Sequence, residues 1–127
     1  MRANIYARQR VLVVDDSEVV LDATRLMLEY SGFEVMTLPT PFGTTSIISN
    51  HQPDLVLLDV TMPALRGDAL VEMIRAGRTS RATRIALHSD RPARELRDLA
   101  HRCGADGFIC KTDDPDELAR QVRQIIG

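Results

Sequence analysis

Asp54-Leu55-Val56-Leu57-Leu58-Asp59-Val60-Thr61-Met62-Pro63 is the stretch on which the reading of this chain turns. Leu55 to Leu58 are apolar with no polar alternation, the pattern of a strand buried on both faces, as parallel sheets require. The run ends in a carboxylate, Asp59, and Pro63 lacks the N–H that a central strand needs to continue. Open α/β sheets bind their ligands beyond the carboxyl ends of the strands. Asp59 is therefore the first residue to explain.

Working outward, the same unit recurs. Val11–Val14 is a β-branched run that stops at Asp15-Asp16-Ser17. Ser17 or Asp16 can cap the helix that follows, in which Val20, Ala23, Met27 and Tyr30 fall on one face and Gly32 marks the end. Glu34–Leu38 is a more mixed strand, suited to a sheet edge. Pro39–Asn50 holds two prolines, a glycine and several β-branched residues, so a helix there is short or irregular. Beyond Asp59, Gly67–Ala76 reads as a helix with Leu70, Val71 and Ile74 inward. Arg84–His88 reads as a strand, and Pro92–Cys103 as a helix burying Leu96, Leu99, Ala100 and Cys103, closed by Gly104. Gly107–Cys110 is a short last strand ending at Lys111, and Pro115 opens a helix that buries Leu118, Val122, Ile125 and Ile126. Strands alternating with helices in this way predict an α/β fold, a five-stranded parallel sheet covered on both faces.

With 127 residues, the chain is expected to form one domain over 10–127 behind a flexible leader, 1–9. A net charge of −2 argues against a nucleic-acid footprint. No apolar run is long enough to span a bilayer, and the first ten residues lack a signal-peptide core. Cys103 and Cys110 form no CxxC pair and have no spaced histidines, which points away from zinc and disulfides and towards a cytoplasmic protein. His88 reads as a packing histidine, His51 and His101 as surface residues.

Polar residues gather where each strand ends: Asp15 and Asp16 after the first, Asp59 after the third, Ser89 after the fourth, Lys111 after the fifth. Converging carboxylates repel one another unless a cation joins them, and hard oxygen donors suit Mg2+. The first strand has no glycine-rich phosphate cradle, and Asp15-Asp16 would repel a bare phosphate. A phosphoryl group could settle here only with a metal and Lys111 to neutralise it, which favours metal-assisted phosphoryl chemistry on a carboxylate over nucleotide binding.

This constellation resembles the receiver domain of bacterial response regulators, from Arg10 to Ile126. The resemblance is carried by Asp15-Asp16, by Asp59 with Met62-Pro63 and Gly67, by Ser89, and by Gly104-Ala105-Asp106-Gly107-Phe108 leading to Lys111. It implies a flavodoxin-like sheet of strand order 2-1-3-4-5, an order taken over from such folds and not read from the spacing. It implies that Asp59 accepts a phosphoryl group from a histidine kinase or phosphotransfer protein. Asp15, Asp16, Asp59 and the Thr61 backbone carbonyl would hold Mg2+, with Asp15 acting mostly through water. Lys111 would pair with a phosphoryl oxygen, while Ser89 and Phe108 would form a switch that remodels a protein-binding surface. An unknown downstream protein is implied, and a homodimer is allowed; direct nucleic-acid or membrane contact by this chain is not expected.

Two residues depart from the family pattern. Thr112 replaces the usual proline after the lysine, and Asp90 replaces the usual small residue after Ser89. They are the support for an alternative, a degenerate receiver that acts as a phosphorylation-independent interaction module. A metal-dependent phosphohydrolase would want a second acid two residues beyond Asp59, where Thr61 stands. Asp90 also has a bland reading, as the N-cap of the helix that Pro92 begins.

Overall fold

The computed structural model of the protein describes residues 8–77 and 82–127. Most of the expected leader lies outside the described residues. Five strands alternate with five helices: β1 Arg10–Val14, α1 Glu18–Tyr30, β2 Glu34–Leu38, α2 Thr44–His51, β3 Leu55–Asp59, α3 Gly67–Ala76, β4 Arg84–Ser89, α4 Ala93–Cys103, β5 Gly107–Cys110 and α5 Pro115–Ile126. All pairings are parallel and the sheet order is β2-β1-β3-β4-β5, as the resemblance implied.

Every residue of β3 is buried, which is what an unbroken apolar run in a central strand demands. The strands feed two apolar layers by their two-residue alternation. Val11, Val13, Leu55, Leu57, Ala86 and Ile109 pack with Leu21 and Leu28 of α1 and Leu118 and Val122 of α5. Leu12, Val14, Val56, Leu58, Ile85 and Leu87 pack with Ile48, Leu70, Ile74 and Leu96 from α2, α3 and α4. At the far end of the sheet, Asp106 accepts the Ile85 N–H at 2.8 Å and pairs with Arg75, tying the end of α3 to the entry of β5.

Helix α1 corrects one expectation. Its buried positions are Leu21, Thr24 and Leu28, not the face that carries Val20, Ala23, Met27 and Tyr30. Tyr30 is 80% exposed, and Val19 (79%) and Leu26 (59%) stand out with it. In α5, Leu118 and Val122 are buried as expected, with Ala119, whereas Ile125 and Ile126 are only partly covered. Helix α2 is short, eight residues entered through Gly43 at φ +93°. Among the described residues no helix is long and apolar enough to cross a membrane.

Candidate functional site

The alternation that sorts the core also sorts the chemistry. Counting on by twos from Val11 and Val13 reaches Asp15; from Leu55 and Leu57, Asp59; from Ala86, His88; from Ile109, Lys111. The register pairs Val13 with Leu57 and Asp59 with His88, so this row crosses the strand ends on the α1/α5 side. Ser89 belongs to the opposite row, with Leu87, Phe108 and Cys110.

The structure brings the expected residues together. Lys111 Nζ lies 2.9 Å from Asp15 Oδ2 and 3.5 Å from Asp59 Oδ1. Asp15 and Asp59 are buried, Asp16 is exposed, and one oxygen from each lies within 4.8 Å of the others. Local turns hold them in place. Asp15 Oδ1 accepts the Ser17 N–H at 2.9 Å, and Ser17 Oγ caps α1 by accepting the Val20 N–H. Asp59 Oδ1 accepts the Thr61 N–H at 3.4 Å.

Burial pushes the Asp59 carboxyl above its ordinary range; Asp15 and Asp16 add to the rise, and Lys111 and the Thr61 N–H oppose it. Burial alone would lower Lys111, but its hydrogen bond to Asp15 and the charges of Asp59, Asp15 and Asp90 carry it above the usual lysine value. The lysine therefore stays cationic. Apart from its ion pair with Lys111, buried Asp15 Oδ2 has no well-directed hydrogen bond. Three converging carboxylates, one of them with such an underused oxygen, form the hard, all-oxygen donor set that Mg2+ takes.

Ser89 is buried, and its Oγ accepts the Arg91 N–H at 3.1 Å. Phe108 is half-buried against the α3/α4 layer, with the Arg97 guanidinium 5.6 Å from its ring centroid. Asp90 does not cap α4. The N-cap position is Pro92, without a side-chain cap, and Asp90 instead joins the wall of the cavity of about 370 Å3 that holds Asp15, Asp16, Asp59 and Lys111. The Lys111–Thr112 peptide is trans, and Thr112 Oγ1 accepts the Asp114 N–H at 3.1 Å, after which Asp114 caps α5. A hydroxyl turn thus shapes the loop where the family pattern has proline.

Two neighbours of the site were not singled out from the sequence. Arg91 lines the same cavity; nothing in the residue pattern distinguished it from other exposed arginines. His88 sits beside Asp59 in the register, a position that the two-residue count alone could have given. Burial, followed by the charge of Lys111, lowers its imidazole to a pKa of about 4, so it is neutral.

The family model of the response regulator receiver domain matches residues 11–123. The transcriptional regulatory protein CseB of Streptomyces avermitilis is 31% identical over 116 residues, which is 91% of this chain and 48% of that protein. The chain thus spans about half the length of the regulators it matches first. An uncharacterised 14.6 kDa protein of Leptolyngbya boryana is 33% identical over 93% of this chain and 90% of its own. Among solved structures, the CheY-like receiver domain protein of Methanospirillum hungatei superposes with a TM-score of 0.80 at 27% identity, covering 94% of both chains. The chemotaxis protein CheY4 of Vibrio cholerae gives 0.84 at 24% identity, over 94% of this chain and 99% of that one, a likeness of fold.

Proposed function

The chain belongs to the response regulator receiver domains of two-component systems, and from that premise we propose that it is a phosphoacceptor whose nucleophile is Asp59. The observation that carries the proposal is the Lys111 ammonium set against buried Asp15 and Asp59, with Asp16 closing the acidic cluster. An Asp59 carboxylate oxygen bonds to phosphorus as the donor's P–N bond to histidine breaks, and the departing imidazole takes up a proton. Lys111 remains protonated and neutralises an oxygen of the transferred group. Asp15, Asp16, Asp59 and the Thr61 carbonyl would hold Mg2+, which when bound would supply further positive charge to the phosphoryl oxygens.

The opposed rows at the strand ends support a switch. Ser89 faces away from the α1/α5 row, with Phe108 diagonal to it on the neighbouring strand. A phosphoryl group on Asp59 would draw the Ser89 hydroxyl from the Arg91 N–H, leaving room for the Phe108 ring to leave Arg97 and turn inward. The surface of α4 and β5 would then change for a downstream partner. The exposed apolar residues Val19, Leu26 and Tyr30 on α1 support a protein phosphodonor, a histidine kinase or phosphotransfer protein. On this reading the receiver unit is 10–127 and works in the cytoplasm with Cys103 and Cys110 free.

Incubation with Mg2+ and acetyl phosphate should add one phosphoryl mass, stable in acid and labile in base. Asp59→Asn keeps the side-chain size and removes the nucleophile. Unchanged labelling of that variant would sink the proposal.

A further inference from the structure

The walls of the cavity of about 370 Å3 divide by exposure. Asp15, Asp59 and Ser89 are buried and form its floor, whereas Asp16, Thr61, Asp90 and Arg91 are exposed and form its rim. The two cations in the wall are therefore placed differently. Lys111 is drawn down by Asp15 and Asp59, at 2.9 Å and 3.5 Å. Arg91 stands at the rim, and its guanidinium makes no ion pair with another described residue. Its backbone is fixed instead: the N–H donates to Ser89 Oγ at 3.1 Å, and the carbonyl accepts from the Cys110 thiol at 3.8 Å. An uncommitted guanidinium on an anchored backbone, at a rim otherwise acidic or neutral, has the forked geometry that receives a carboxylate.

We infer that Arg91 is the residue that admits small acyl phosphates as donors, by taking the carboxylate that leaves when Asp59 is phosphorylated. The inference rests on the phosphoacceptor reading and adds to it a donor class and a binding group. In-line displacement sets the leaving oxygen on the side of phosphorus opposite Asp59. With Asp59 on the floor, that side is the rim. As an Asp59 oxygen bonds to phosphorus, the bond from phosphorus to the bridging oxygen breaks; that oxygen keeps the electron pair and departs in a carboxylate, which needs no proton. Negative charge thus develops at a rim that also carries Asp16 and Asp90, and Arg91 is the one cation there to receive it. A group that meets charge only as it forms stabilises the transition state more than the bound donor. A leaving group that departs as a neutral amine gives Arg91 nothing to take. The imidazole of a phosphohistidine is such a group, so Arg91 separates the small-molecule route from the protein route.

The test compares acetyl phosphate with phosphoramidate, whose leaving group is ammonia, by intact-mass labelling with Mg2+. Arg91→Gln should slow labelling by acetyl phosphate about tenfold, the usual effect of losing a charge-assisted pair, and labelling by phosphoramidate by no more than about twofold. Arg91→Lys keeps the charge without the fork and should recover only part of the loss. The phosphoramidate rate also shows that the rest of the site has survived the substitution. Acetonylphosphonate, in which CH2 replaces the bridging oxygen and prevents transfer, should move the Arg91 Nε–H resonance, since its ketone oxygen stands where the acyl oxygen stands. Equal slowing with both donors, no slowing with acetyl phosphate, full recovery in Arg91→Lys, or an Arg91 resonance that stays still while the Thr61 amide moves would overturn the inference. Failure of the phosphoacceptor reading looks different: neither donor labels the parent protein, and the inference falls with it.

Discussion

Gly67→Ala should damage both stability and the site, and the size of the damage follows from one distance. A Cβ at this position would lie 2.2 Å from the Asp59 carbonyl oxygen and 2.9 Å from its carbonyl carbon. A carbon needs roughly 3.3 Å from a carbonyl oxygen, so α3 must retreat from the end of β3 by about 1 Å. Both partners are backbone, and no rotamer change relieves them. Overpacking of this kind costs about 1–3 kcal/mol, and loss of the Gly67 N–H bond to Val60 O adds about 1 kcal/mol. The expected total is about 3 kcal/mol, or roughly a 10 °C fall in Tm for a domain of this size. The strand end that moves carries Asp59, and the loop behind it carries the Thr61 carbonyl, so Mg2+ affinity should fall as well. The chain has no tryptophan, so the assays are urea unfolding by circular dichroism and Mg2+ titration by calorimetry. Gly32→Ala is the control. At φ +94° with nothing within 4 Å, it should cost about 1 kcal/mol of backbone strain and leave Mg2+ binding intact. A Gly67→Ala protein within about 0.5 kcal/mol of the parent would refute the reasoning.

Two more predictions concern charge. The folded state holds the Asp59 proton more tightly than the unfolded chain does, so this group favours folding at low pH and that contribution is lost as pH rises through its raised folded value. Asp59→Asn should therefore raise the urea midpoint at pH 7, with the gain shrinking as pH falls through the raised folded value and gone below the unfolded value of about 4; a lower midpoint at pH 7 would contradict the electrostatic account. Asp90 makes no capping bond, so Asp90→Asn should leave Tm unchanged. The Asp90 carboxylate in the cavity wall, partly offset by Arg91, opposes an approaching dianion by about 1 kcal/mol; labelling by acetyl phosphate should therefore quicken about fivefold at low salt, and an unchanged rate would remove Asp90 from the site's electrostatics.

How much of this was legible in the sequence depends on which periodicity carried it. A strand has a period of two that runs off its end without ambiguity, so Asp15, Asp59 and Lys111 could be placed together once the parallel sheet was recognised. The same count puts Ser89 and Phe108 in the other row, as the register has them. A helix is less forgiving, since a small error in phase turns the whole face. In α1 the most apolar stripe in the sequence is not the buried one, because the core-facing row of Leu21 and Leu28 is interrupted by a polar residue, Thr24. The phase is set at the first turn instead. Asp15 must reach Lys111, its other oxygen takes the Ser17 N–H, and Ser17 then caps Val20. The loops were illegible for a related reason: the roles of Thr112 and Asp90 depend on whether each side chain finds a backbone N–H, which Thr112 does and Asp90 does not, and spacing does not encode that. The two failures share a location. The misread stripe of α1 and the Asp90 loop both border the strand ends, where local pattern and core packing disagree. Such disagreement is expected where residues are placed for binding and not for burial.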